Sequence, residues 1–339
     1  MSAYTAYPTQ TWYSVATSTE VTGRPLARRA LQTSLVLYRT RAGEIVVLED
    51  RDAHAPYPLS LGTVVGDEIV SAYSGFRYGP DGRCTHVPTQ EHVPIGARVR
   101  AWPVREQDGL VWVWFGREGL ADLRQLPQTG CPSDERWVSF GQEWTTAANL
   151  LLLHENFADI THVAVVDPLI APPVLSAGPV PQLVVEVAET SVSFARDYPP
   201  GPVSPWLAPL LDLPADAAVA QREEGRFVSP GLWVDTWSFL RPGRQPARFR
   251  FTHATTPVDS GRTRHLWRVS RDFALEDAVS QHLLPIFTTY YRRVQAILQT
   301  MQAVITTDGA RNDVRVAADA AAIAVRRIVH RLLADERLT

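Results

Sequence analysis

The chain has 339 residues, 45% of them apolar and 20% charged, and its formal net charge at pH 7 is −3. This length allows two domains, and the composition is typical of a globular protein. The charge balance predicts no nucleic-acid partner and no membrane partner, and no apolar run reaches the roughly eighteen residues of a membrane-spanning helix. The N-terminal segment lacks the charged start and apolar core of a signal peptide, so we expect a cytoplasmic location.

The use of cysteine and lysine restricts the chemistry further. Cys84 and Cys131 are the two cysteines, and the sequence contains no lysine. Two cysteines cannot form a disulfide framework, and alone they cannot supply the four Cys or His ligands of an iron–sulfur cluster. The absence of lysine excludes Schiff-base catalysis by a lysine amine.

The first third of the chain is predicted to be all-β. Residues 11–116 contain short runs of β-branched and aromatic residues that are separated by turns, such as Gly79-Pro80-Asp81-Gly82. The segment Gly109–Gly116 alternates in the manner of a half-buried strand. These patterns predict a small β domain over residues 1–125.

The rest of the chain is predicted to be a second domain, residues 126–339, in which strands precede two long helices. A connector (Pro127–Pro132) leads into a helical segment, Ala147–Asp159, and then into an antiparallel sheet interrupted by a long proline-rich loop, Tyr198–Pro214. The predicted strands are Leu183–Asp197, Arg226–Leu240, Ala247–Thr256 and Thr263–Phe273. The predicted closing helices are Glu276–Val304 and Asp313–Asp335. The fold class is therefore α+β.

Two short segments in the first domain match the ligand loops of an iron–sulfur protein in position but not in residue type. They are Asp52-Ala53-His54 and, after sixteen intervening residues, Ser71-Ala72-Tyr73-Ser74. They resemble the Cys-x-His and Cys-x-x-His loops of the large subunit of Rieske non-haem iron oxygenases. Of the four ligand positions, only His54 still holds a residue that can bind the cluster. The other three hold Asp52, Ser71 and Ser74, so we expect no [2Fe–2S] cluster.

A second motif resembles the mononuclear iron site of the same family. Asn156, Asp159, His162 and Asp167 follow its Asn-x-x-Asp-x-x-His-x-x-x-x-His pattern, with Asp167 in place of the second histidine. The resemblance implies that His162, Asp167 and a later aspartate, matched to Asp277, occupy the iron-ligand positions. It also implies that Asp159 bridges the two metal centres.

The resemblance also implies an architecture and an assembly. A Rieske-like all-β domain would precede a helix-grip (START-like) catalytic domain that encloses a deep apolar pocket. The segment Val314–Ala320 with Arg326-Arg327 resembles the O-demethylase branch of the family. Members of that branch are homotrimers, so we expect a homo-oligomer, with a trimer as the implied state.

One strand carries a stripe of bulky side chains that predicts a substrate pocket, the alternative being ordinary core packing. Alternation along Gly231–Leu240 places Trp233, Asp235, Trp237 and Phe239 on one face. The predicted substrate-binding residues are Trp233, Trp237, Phe239, Phe251, His253 and Tyr291. The predicted catalytic residues are His162, Asp167, Asp235 and Tyr290.

Three functions are compatible with these patterns. The favoured hypothesis, because both metal centres have lost ligands, is a metal-independent, cofactor-free cyclase or isomerase. It would close a ring by cycloaddition on a hydrophobic, polyketide-like intermediate of natural-product biosynthesis. The first alternative is a cluster-free oxygenase that binds Fe2+ through His162, Asp167 and Asp277. The second is a non-catalytic partner subunit of an oxygenase.

Overall fold

The computed structural model of the protein describes residues 6–130, 135–176, 178–309 and 314–338. The chain divides into two compact units, one of which is Thr9–Leu126 and the other the remainder of the described chain. No helix in the described ranges is both long enough and apolar enough to cross a membrane.

The N-terminal unit consists of three small antiparallel sheets, which confirms the all-β prediction. Its central strand, Leu110–Trp114, is buried at every residue because both of its faces pack against protein. The strands are β1 (Trp12–Thr17), β2 (Leu26–Ala30), β3 (Thr33–Arg39), β4 (Ile45–Glu49), β5 (Thr63–Val65), β6 (Glu68–Val70), β7 (Arg77–Tyr78), β8 (Cys84–His86), β9 (Val104–Gln107) and β10 (Leu110–Trp114).

The C-terminal unit is built on a seven-stranded antiparallel sheet. The strands are β11 (Val138–Thr146), β12 (Val184–Val187), β13 (Val192–Pro202), β14 (Ala218–Ser229), β15 (Leu232–Leu240), β16 (Ala247–Asp259) and β17 (Arg262–Arg271). Their order in the sheet is β11-β17-β16-β15-β14-β13-β12. The register of β15 against β16 pairs Trp233 with His253, Asp235 with Phe251 and Trp237 with Phe249.

In the described ranges, four α-helices complete this unit and give the predicted α+β fold. They are α1 (Leu150–Phe157), α2 (Val163–Val166), α3 (Asp277–Asp308) and α4 (Ala320–Leu338). The longest, α3, has 32 residues and buries Leu283, Phe287, Tyr291, Val294 and Leu298, whose three-to-four spacing marks one face. Asn149 caps α1 by accepting a hydrogen bond from the Leu151 N–H group.

The structure corrects several of the predicted elements. The predicted strand Arg226–Leu240 is the end of β14 followed by all of β15, because the chain turns at residues 230–231. The predicted strand Leu183–Asp197 is two strands, β12 and β13, because the chain turns between them, where the Ala188 N–H donates to the Ser191 carbonyl. The predicted loop Tyr198–Pro214 is partly strand, since β13 continues to Pro202 across an irregularity in its pairing with β14. The last helix begins at Ala320, and residue 313, its predicted start, lies outside the described residues.

Candidate active site

The three altered cluster positions meet in one hydrogen-bond network inside the N-terminal unit. The buried Asp52 carboxylate accepts hydrogen bonds from Ser71 Oγ at 2.6 Å, Ser74 Oγ at 2.5 Å and the Tyr78 hydroxyl at 2.6 Å. Burial by itself raises the pKa of Asp52, but these donors and the His54 N–H outweigh it and hold the pKa below its ordinary value. Asp52 is therefore an ionised, structurally engaged carboxylate.

These residues do not fit a [2Fe–2S] cluster. Such a cluster needs four Cys or His ligands, and a serine hydroxyl is not a substitute for a thiolate. The ring of His54 lies outside the network, exposed and stacked on Phe76 with 5.1 Å between ring centroids. Across the described ranges, no group of three or more His, Cys, Asp or Glu side chains is placed to hold a metal ion.

In the C-terminal unit, both ring nitrogens of His162 are hydrogen-bonded. Its Nδ1 lies 2.5 Å from the Asp159 carbonyl oxygen, which can only accept, so Nδ1 carries the proton. Its Nε2 therefore accepts from the Asn156 amide nitrogen, 3.1 Å away. Burial lowers the pKa of His162, and the hydrogen bond to the Asp159 carbonyl offsets part of that effect. His162 is a neutral imidazole with an Nε2 lone pair.

Asp167 is engaged by a cation of the protein itself. Its Oδ2 lies 2.8 Å from an Arg293 guanidinium nitrogen, and its Oδ1 accepts a hydrogen bond from the Leu169 N–H at 3.2 Å. The Asp167 side chain is 8% exposed. A carboxylate held in this way has its charge compensated without a metal ion.

Asp277 does not join His162 and Asp167. It is the exposed first residue of α3, whereas Arg293, which binds Asp167, lies sixteen residues later in the same helix. At a rise of about 1.5 Å per residue these positions are about 24 Å apart along the axis. The described residues do not bring His162, Asp167 and Asp277 together as the predicted Fe2+ site, and they assemble no group of three ligands.

An apolar pocket lies within the C-terminal unit, enclosed by the sheet, α3 and the segments around Ile160–Pro173 and Val203–Leu207. Its empty volume, including the open mouth, is about 990 Å³. The lining includes eight residues predicted from the sequence, namely His162, Asp235, Trp237, Phe239, Phe251, His253, Tyr290 and Tyr291. Pockets of this kind bind small molecules in many folds.

Two predicted site residues do not line the pocket. Asp167 is absent from the lining, and Trp233 is fully buried, where it packs against Phe157, Phe194 and Phe227. Trp233 nevertheless acts on the site, because its indole nitrogen donates a 2.6 Å hydrogen bond to Asp235 Oδ1. Sequence alternation assigned Trp233 to the correct strand face but could not give its depth.

A polar cluster lies at the deep end of the pocket. Asp235 Oδ2 is 3.6 Å from His253 Nε2, and His253 Nδ1 is 3.0 Å from His265 Nε2. Burial raises the pKa of Asp235 well above its ordinary value, against the lowering effect of Trp233. Burial also lowers the pKa of His253 to about 3 and that of His265 well below its ordinary value. The cluster therefore favours uncharged side chains.

Sequence reasoning missed a buried ion pair beside the pocket. Glu223 lines the pocket and contacts Arg196 at 2.9 Å and the Tyr198 hydroxyl at 2.8 Å. The sequence could not reveal this pair, because Glu223 lies outside the predicted strands and only the register of β13 and β14 places it opposite Arg196. Among the described residues, the pocket lining includes Glu223, Glu224 and Asp235 but no arginine.

Both halves of the chain match known family models. Residues 146–335, more than half of the chain, match the vanillate O-demethylase oxygenase C-terminal domain, and residues 11–103 match the Rieske [2Fe–2S] domain. The chain belongs to the Rieske oxygenase family. This assignment confirms the resemblance and the two-part fold inferred from the sequence.

Individual Rieske oxygenases are similar over most of the chain. The oxygenase component of dicamba O-demethylase from Stenotrophomonas maltophilia is 30% identical over 78% of this chain and 79% of its own. A vanillate O-demethylase oxygenase subunit from a Pseudomonas species is 26% identical over 89% and 95%. The crystal structure of dicamba monooxygenase bound to 3,6-dichlorosalicylic acid superposes with a TM-score of 0.88 at 25% identity, covering 98% of this chain and 99% of that one.

These relationships overturn the favoured sequence-based hypothesis. The prediction of a cofactor-free cyclase that performs a cycloaddition is wrong, because the relatives of this Rieske oxygenase family member are oxygenases and demethylases. The prediction that no cofactor is used is contradicted as well, since the Rieske domain and the oxygenase relatives imply a [2Fe–2S] cluster and non-haem iron. The described ligand positions of this chain nonetheless fit neither group, as the Asp52 network and the Asp167–Arg293 pair demonstrate.

Proposed function

We propose that this Rieske oxygenase family member is an oxygenase-type subunit of a monooxygenase or demethylase system that acts on an apolar small molecule. The observation that carries the proposal is the apolar pocket in the C-terminal unit, within a fold that matches a demethylase over nearly its whole length. The relatives' names describe oxygenase components, which supports a multicomponent system for this chain too.

The pocket residues bind and orient the substrate. Trp237, Phe239, Phe249 and Phe251 present an aromatic wall from the sheet, and Phe287 of α3 lies 5.9 Å from Phe251 between ring centroids. Such a wall gains free energy from removing apolar surface from water, about 25 cal/mol per Å². An enclosed apolar site also keeps water from the reacting part of the substrate. The described residues at the iron-ligand positions do not fit an iron ion.

A second candidate function is a partner subunit of an oxygenase that carries its own metal centres. The observation that favours it is the Asp52 network, which occupies the altered cluster positions with hydrogen-bonded oxygen atoms. In this case the chain would bind substrate or stabilise the assembly while electrons flow through the other subunit. Homo-oligomerisation, including a trimer, stays a prediction for either candidate.

The test is an oxygen-dependence assay with 2-methoxynaphthalene as an apolar methyl-ether probe. Purified protein, a bacterial oxygenase reductase and NADH are incubated in air and under argon, and naphthol and formaldehyde are measured. An oxygenase-type enzyme forms both products in air and neither under argon. Equal product in both atmospheres would overturn the proposal. Product only after an intact vanillate O-demethylase oxygenase subunit is added would favour the partner-subunit candidate.

A further inference from the structure

The deep end of the pocket brings together side chains from three elements. Asp235 comes from β15, His253 from β16, and Tyr290 and Tyr291 from α3, and all four line the pocket. The sheet register sets this arrangement, since Asp235 lies opposite Phe251, two residues before His253. Phe157 stacks on the His253 ring at 4.2 Å between centroids and fixes its plane. The polar groups are therefore held rigidly within an apolar surround.

Only one of the two Asp235 oxygen atoms has a hydrogen-bond partner in the described part of the chain. Oδ1 accepts from Trp233, whereas Oδ2 is 3.6 Å from His253 Nε2, too far for a hydrogen bond. The hydroxyls of Tyr290 and Tyr291 likewise make no hydrogen bond to the described residues, although both side chains line the pocket. These oxygen atoms belong to pocket-lining residues, so a ligand or water that enters the pocket can satisfy them.

The protonation state of Asp235 and the charges around the pocket determine which chemical groups of a ligand can bind there. An Asp235 carboxyl kept protonated by burial is a hydrogen-bond donor, because its Oδ1 is already used as the acceptor for Trp233. An anionic ligand group would be buried beside Glu223, whose own charge is already paired with Arg196, and no arginine among the described lining residues is available to compensate the ligand.

We infer that Asp235 Oδ2 donates a hydrogen bond to the carbonyl oxygen of an uncharged substrate whose apolar body fills the pocket. This inference rests on the proposed function for the existence of a substrate, and it adds the substrate class. Tyr290 lines the same pocket, so its hydroxyl is a second potential donor to the ligand. Trp233 is a positioning residue, since its indole N–H fixes the orientation of the Asp235 carboxyl. The site thus distinguishes ketones, esters and amides from organic acids.

The experiment measures the binding of four naphthalene probes of similar size by calorimetry with the full chain. The probes are 2-acetylnaphthalene, 2-isopropylnaphthalene, 2-naphthoate and 1-(2-naphthyl)ethylamine. The inference predicts that the ketone binds about tenfold more tightly than the hydrocarbon, the equivalent of one buried hydrogen bond, and that the naphthoate binds most weakly.

Variants at position 235 separate a hydrogen-bond donor from a charge. Asp235→Asn keeps an acceptor for Trp233 and supplies an amide N–H, so the ketone preference should survive. Asp235→Leu removes the donor, so the ketone and the hydrocarbon should bind equally. Asp197→Asn, at an exposed position of β13 that is not among the pocket-lining residues, is the matched control and should leave the ranking unchanged. Thermal unfolding of each variant shows whether it is folded.

Several outcomes would overturn the inference. They are equal binding of ketone and hydrocarbon by the unmodified protein, tightest binding of the naphthoate or of the amine, and failure of all four probes to bind. These binding results do not depend on turnover. A protein that shows the ketone preference but no oxygen-dependent product refutes the proposed function alone. Oxygen-dependent product without the preference refutes the subsite alone.

Discussion

Arg293 of α3 forms an ion pair of 2.8 Å with the buried carboxylate of Asp167, the residue that stands at the position of the second iron-ligand histidine in this family. A protein cation therefore compensates the charge of Asp167. This pair explains why the family motif around His162 can persist in the sequence while the described residues assemble no three-ligand metal site.

Removal of Arg293 should destabilise the protein because it leaves Asp167 buried without its partner. Arg293 is about half exposed, so solvent screens part of the effect, and we expect Arg293→Ala to cost about 1–2 kcal/mol of unfolding free energy. Urea unfolding of the variant and the unmodified protein measures this loss of unfolding free energy. Adding Asp167→Asn to Arg293→Ala should recover much of the loss, since the buried charge is gone. Additive losses in the double variant would contradict the coupling.

The Asp52 network should stabilise the N-terminal unit. Asp52→Ala would leave the hydroxyls of Ser71, Ser74 and Tyr78 without their shared acceptor, and we expect a loss of about 3 kcal/mol. Asp81→Ala is the control, because Asp81 is an exposed aspartate of the same unit whose ion pair with Arg83 is exposed as well. Equal unfolding midpoints for the two variants would show that the network contributes nothing.

Lowering the pH should reduce the unfolding free energy of the protein, because His154 binds a proton more readily in the unfolded chain. This fully buried histidine contacts the Pro230 carbonyl oxygen through Nε2 at 2.9 Å, and burial lowers its pKa to about 4. Between about pH 6.5 and 4 the unfolded chain binds a proton at this residue that the folded protein does not, so this contribution to stability falls as the pH falls.

His154→Gln should therefore reduce the acid sensitivity. Over that interval the variant should lose less unfolding free energy than the unmodified protein, by up to about 3 kcal/mol at 1.36 kcal/mol per pH unit. Glutamine can still donate to the Pro230 carbonyl. Replacement of the exposed His330 by glutamine should leave the pH dependence unchanged. Identical pH profiles for His154→Gln and the unmodified protein would refute the assignment.

Two tryptophans of one strand should respond differently to truncation. Trp237 lines the pocket, so Trp237→Ala should weaken 2-acetylnaphthalene binding by tenfold or more. Trp233 is a core residue, so Trp233→Ala should chiefly destabilise the fold, by about 3–5 kcal/mol. Paired calorimetry and urea unfolding distinguish the effects. A Trp237→Ala variant with unchanged affinity would place the ligand elsewhere.

The sequence predicted the fold well where periodicity is strong. Alternation along Gly231–Leu240 identified the face of β15 that carries Asp235 and Trp237, and the long helix predicted over Glu276–Val304 corresponds to α3. The sequence-based prediction failed where the outcome depended on distance along a helix. Asp277 matches a ligand by local pattern, but the length of α3 separates it from Asp167.

The prediction of a cofactor-free cyclase was wrong for a different reason. The losses at Asp52, Ser71, Ser74 and Asp167 were visible in the sequence, but they indicate only which ligands are missing. They do not determine the reaction, and the relationship to oxygenases over nearly the whole chain carries more weight than the ligand losses. The partner Arg293 could not be foreseen, because it lies 126 residues after Asp167 and only the packing of α3 brings the two together.

A crystal structure of the protein with 2-acetylnaphthalene tests most directly whether the pocket of the C-terminal unit is a substrate site. We predict the naphthalene rings among Trp237, Phe251 and Phe287, with the carbonyl oxygen about 2.7 Å from Asp235 Oδ2, a hydrogen-bond distance for an O–H donor. A ligand bound outside this pocket, or one whose carbonyl points away from Asp235 towards the pocket mouth, would contradict the claim.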